Sequence, residues 1–138
     1  MAKKFRGAEI VREIDEALDK GLARFLVLTQ GKLSKASPVD SGRLASSWFI
    51  GAGVPNRSEP PKRKKGAADV SITSFDGRIT LDRDWYISSN LEYSERVAFD
   101  PKWAKGGRVG GSAWFTSIAN NLGKDADKAF DFFLRKVK

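Results

Sequence analysis

Between residues 8 and 33 the large apolar side chains fall at Ile10, Val11, Ile14, Leu18, Leu22, Phe25, Leu26 and Leu33. Steps of three and four place such residues on one face of an α-helix. Glu9, Arg12, Glu13, Asp15, Glu16, Asp19 and Lys20 cover much of the remainder. The spacing therefore predicts a long amphipathic helix. Gly21, inside it, reads as a weak point, costing about 1 kcal/mol against alanine. Helical spacing returns from about Ser112, with Trp114, Phe115, Ile118, Ala119, Leu122, Ala126, Ala129, Phe130, Phe133, Leu134 and Val137. This predicts a second long helix reaching the C-terminus.

The middle of the chain changes period. "WFIGAGV", residues 48–54, is apolar and glycine-interrupted and predicts a first strand. Val70 and Ile72 alternate with polar residues in "ADVSITSF", and "GRITL" follows Asp76–Gly77. An Asp-Gly pair between such runs is a hairpin signal. "DWYISSN", residues 84–90, continues that strand or forms a fourth, and "LEYSERVAF" predicts a short helix offering Leu91, Tyr93, Val97 and Phe99 to the core. The expectation is one α+β domain over residues 1–138. It has a long N-terminal helix, a short helix, an antiparallel sheet of three or four strands, and a long C-terminal helix against one sheet face.

"SPVDSGRLASSW", residues 37–48, joins the first helix to the sheet. Pro38 disfavours helical geometry at Ser37, so the long helix stops there. Asp40 suits an N-cap, its carboxylate accepting from the amide of Gly42 or Arg43. The following residues read as two helical turns, with Leu44 and Trp48 four apart on one face and Arg43 on the polar side. Residues 55–68, "PNRSEPPKRKKGAA", hold three of the five prolines and no large apolar side chain, and so predict a flexible loop.

Composition narrows the chemistry. The chain has 138 residues, 41% hydrophobic and 30% charged, the balance of a globular protein. No apolar run approaches the roughly 18 residues that cross a bilayer, the N-terminus lacks the apolar core of a secretory signal, and no membrane contact is expected. There is no cysteine and no histidine. Disulfides, thiolate catalysis and cysteine-ligated metals are thereby excluded, and the commonest general base is missing. Asp82 and Asp84, two apart in "DRD", share a face if they lie on a strand, a spacing compatible with Mg²⁺. The competing reading is a solvated polar turn, and no third carboxylate completes a site. "GGRVGG", residues 106–111, matches neither phosphate-binding glycine pattern. No catalytic residue, cofactor or metal is expected.

A net charge of +8 favours polyanionic neighbours. Its sharpest feature is Lys62, Arg63, Lys64 and Lys65, able to neutralise phosphates without reading sequence, or simply to be solvated. Trp103, in a glycine-rich loop, is either an interface anchor or packs on the sheet edge.

The stretch at residues 37–48 resembles the "(T/S)PVDTGRLRxSW" signature of tailed-phage neck and tail-completion proteins, the lambda minor tail protein Z group. Pro38, Val39, Asp40, Gly42, Arg43, Leu44, Ser47 and Trp48 match, with Ser41 in place of threonine. The order of parts is similar from about residue 8 to 137. A second segment, "NLEYSERV", matches at Asn90 and Tyr93 but departs where the family continues with glutamate and glycine, here Ala98 and Asp100. The resemblance implies a virion protein and not an enzyme. Such a protein forms a ring of six or twelve copies around the DNA path at the head–tail junction, assembled in the host cytoplasm. Its partners would be its own copies, neighbouring connector and tail proteins and, nonspecifically, packaged DNA. On that reading Asp40 caps, Gly42 allows close approach, Leu44 and Trp48 fill the core, Arg43 pairs with a carboxylate within or between subunits, and residues 62–65 face the lumen or a partner. The alternative is a small basic protein that binds nucleic acid without sequence preference.

Overall fold

A computed structural model describes residues 7–37, 44–60, 72–91 and 113–137. Helix α1 spans Gly7–Ala36, about 45 Å at 1.5 Å per residue. It ends at Ser37, whose amide (3.0 Å) and hydroxyl (2.5 Å) both donate to the Leu33 carbonyl. Strand β1, Trp48–Ala52, pairs antiparallel with β2, Trp85–Ser89. Ile50 faces Ile87, with Trp48 opposite Ser89 and Ala52 opposite Trp85 at the ends. Helix α2, Ala113–Asn120, and helix α3, Leu122–Leu134, close the described chain.

The expected three or four strands are corrected to two among the described residues. Residues 72–80, where the Asp76–Gly77 hairpin was expected, form no strand ladder. Side chains hold this stretch instead. Gln30 Nε2 donates to the Thr73 carbonyl (2.9 Å), Asp19 Oδ1 accepts from the Leu81 amide (3.0 Å), and the Phe75 ring meets Trp85 edge-on at 5.1 Å. Alternation of apolar and polar residues cannot distinguish such a strap from a paired strand, because both are extended.

The single long C-terminal helix is corrected to two. Asn121 leaves helical geometry (φ −100°, ψ 2°), and its side-chain amide donates to the Ser117 carbonyl at 2.8 Å. Asparagine competes in this way for backbone groups and favours helix ends. The short helix expected ahead of the sheet is not seen over its described part. Residues 44–46 form a turn closed by the Ser47 amide on the Leu44 carbonyl (3.0 Å), and β1 begins at Trp48. The other expected short helix, residues 91–99, lies outside the described residues apart from Leu91.

Leu33, Leu44, Trp48, Leu91 and Trp114 form the core cluster, with Ala36, Ile87, Phe115 and Ile118 packed on it. Trp48 meets Trp114 edge-on at 6.3 Å and stacks on Phe115 at 6.2 Å. Helix α3 lies along α1, its closest approach at Gly21. A methyl group added there would sit 2.6 Å from the Phe130 ring and 3.0 Å from its Cα. Lys32 pairs with Asp125 (2.6 Å) beside the same seam, and the Arg24 guanidinium sits 4.3 Å from the Phe132 ring centre.

Candidate functional site

The two ends of the stretch at residues 37–48 are fastened together. Trp48 inserts its indole into the core, and its Nε1–H donates to the Ser37 hydroxyl at 2.8 Å. That hydroxyl directs its own proton to the Leu33 carbonyl. The indole N–H would otherwise be a buried donor without a partner, a cost of about 1–3 kcal/mol. Ser47 makes a second fastening. Its hydroxyl reaches the Leu44 carbonyl (2.6 Å) and the Ser89 hydroxyl (2.6 Å), tying the turn to β2. Leu44 and Trp48 are both buried, at 4% and 6% exposure.

A third fastening comes from α1. Gln30, 2% exposed, donates from Nε2 to the Trp48 carbonyl at 2.7 Å as well as to Thr73. One amide thus joins helix, strand and strap. Ser37, Ser47 and Gln30 were not singled out as site residues from the sequence. A legible signal existed for Gln30: it lies between Leu26 and Leu33 on the helix, among the positions that turn inward.

Gly51 completes the unit. A methyl there would meet the Val54 carbonyl oxygen, and the Asn56 amide nitrogen at 2.6 Å, so the chain after β1 folds closely back over it. Ser88 and Asn90 donate to the carbonyls of Asn56 (3.2 Å) and Arg57 (3.1 Å) and hold that return against β2.

The remaining residues singled out from the sequence are placed differently. Pro38, Asp40, Gly42 and Arg43 lie outside the described residues, as do Lys62, Arg63, Lys64, Lys65 and Trp103. Asp82 and Asp84 are exposed, Asp82 in a turn and Asp84 just before β2, so the shared strand face that would aim both at one cation is not formed. Asp82 accepts from the Thr80 hydroxyl, which holds its carboxyl below the usual value, with Arg83 assisting. The Asp84 carbonyl is engaged by the Gly53 amide at 2.7 Å. No group of three or more carboxylates able to hold a metal occurs among the described residues, and no described helix is long and apolar enough to cross a membrane. An open cleft of about 280 Å³ between α1 and the chain's end is lined by Glu13, Glu16 and Ala17 on one side and Phe133, Lys136 and Val137 on the other, with Lys20. Its charged groups stand at an open surface, not in the buried setting that tunes acid–base chemistry.

No family model, curated protein or solved structure matches the chain.

Proposed function

We propose that the chain is a structural protein of the tailed-phage head–tail junction, a neck or tail-completion protein that assembles as a ring around the DNA path. The observation that carries this reading is the stretch at residues 37–48, with its resemblance to the neck-protein signature. The bonding at its ends supports a packing role. Ser37, Ser47 and Trp48 spend their polar atoms on the chain itself, and the indole of Trp48 is the centre of the core. Such a clasp fixes the angle between a 30-residue helix and the sheet, the geometry that repeated docking of identical subunits requires. The net charge of +8 suits a subunit near packaged DNA, where binding must be to phosphates so that DNA can slide.

The same charge favours the second reading, a small protein that binds nucleic acid without sequence preference. Negative-stain images of the purified chain separate the two. Rings with an open centre support the junction protein. Dispersed single subunits that coat duplex DNA, and release it as salt rises, favour the alternative.

A further inference from the structure

The apolar stripe of α1 is not covered over its first half. Ile10, Val11 and Ile14 are 39%, 59% and 37% exposed, and Leu18, Leu22 and Phe25 are only partly buried. What α1 buries against α3 in this half is the small pair Ala17 and Gly21. Helix α3 therefore packs beside the stripe and not over it. Leu81, 46% exposed, adds to the uncovered surface near Asp19, which accepts from its amide. Together the four exposed side chains present roughly 300 Å² of apolar surface, the scale at which a patch on a single subunit marks an interaction site.

The border of the stripe says what fits it. Residues 9–20 carry Glu9, Glu13, Asp15, Glu16 and Asp19 against Arg12 and Lys20, a net −3 in a chain of net +8. The rest of the chain therefore carries +11. Glu13, Asp15 and Glu16 have no ion pair among the described residues. An acidic rim repels phosphate, so neither DNA nor an anionic bilayer suits this surface. A basic protein surface does, and the chain itself supplies one.

We propose that this stripe is the face through which one copy docks on the basic surface of a second copy. The docking is head-to-tail, because a two-fold pairing of the stripe with itself would set its carboxylates against one another. The stripe supplies the apolar centre of the interface and the carboxylates its charged rim. The proposal deepens the ring reading and rests on it for closure of successive interfaces.

Sedimentation at rising protein concentration, with negative-stain imaging, tests this on three chains: wild type, Val11→Ser with Ile14→Ser, and Glu13→Lys with Glu16→Lys. All four altered positions are exposed or partly so, and the melting temperature should stay within a few degrees of wild type. Both variants should raise the concentration needed for assembly at least about tenfold. Zero-length coupling of carboxylates to amines should join Glu13 or Glu16 to a lysine of another copy. Wild-type rings that both variants form equally well would overturn the stripe and leave the ring reading standing. Open chains that both variants disrupt would support the stripe and overturn closure. A wild type that stays monomeric, with couplings only inside one chain, would overturn the stripe.

Discussion

Gly21 and Gly31 lie on the same helix, and replacing each by alanine should move stability in opposite directions. Alanine gains about 0.5–1 kcal/mol over glycine inside a helix, because glycine loses more backbone freedom on folding. At Gly31 the new methyl meets nothing within 4 Å. The gain is unopposed there, and Gly31→Ala should raise the melting temperature by about 3–5 °C. At Gly21 the methyl lies 2.6 Å from Phe130 Cδ1 and 3.0 Å from Phe130 Cα, against an optimum of about 3.5–4.0 Å between carbons. The ring can turn aside, but the Cα moves only if α3 moves. Overpacking of this kind costs about 1–3 kcal/mol. Set against the helical gain, Gly21→Ala should be destabilising by about 1 kcal/mol. Adding Phe130→Leu should recover only part of the loss, since the backbone at position 130 still crowds the methyl. Thermal and urea unfolding of the single and double variants measure all three. A Gly21→Ala chain stabilised as much as Gly31→Ala would refute the seating of α3 on α1.

Ser37→Ala removes the acceptor of the buried Trp48 indole and should cost about 1–3 kcal/mol in urea unfolding. Trp48→Ala, which empties the centre of the core, should cost about 3–5 kcal/mol, and an unchanged midpoint for either would remove the clasp from the account. Gln30→Glu keeps the shape but leaves a carboxylate facing the carbonyls of Trp48 and Thr73. It should destabilise more at neutral pH than in acid, where the protonated form can donate again, and a loss independent of pH would contradict the bonding. Changing Lys62, Arg63, Lys64 and Lys65 to serine should lower the salt slope of duplex binding by up to about 0.9 for each phosphate no longer neutralised. An unaltered slope would show that other residues neutralise the phosphates.

The elements with the strongest periodicity were legible in the sequence. The run from Ile10 to Leu33 lies in α1, and "WFI" and "WYISS" fall in β1 and β2. The strap at residues 72–80 was not, because Gln30, Asp19 and Trp85 hold it from distant points of the chain and local pattern carries no trace of them. Asn121 did carry a signal, an asparagine pair inside an apolar period, which the continuing periodicity masked. Gly21 shows the limit most sharply. As a sequence position it is a defect in a helix, whereas in the fold it is the space that Phe130 occupies. Of the candidate site, the apolar partners of Trp48 follow from pattern. Its polar partners Ser37 and Gln30 do not, since serine and glutamine are ordinarily exposed.

The most direct test of the central claim is gold labelling of intact tailed particles made from the genome that encodes this chain, with antibody raised against the purified protein. The account predicts label confined to the joint between head and tail. Label on the capsid shell or the tail tip, or particles that lack the protein altogether, would contradict it.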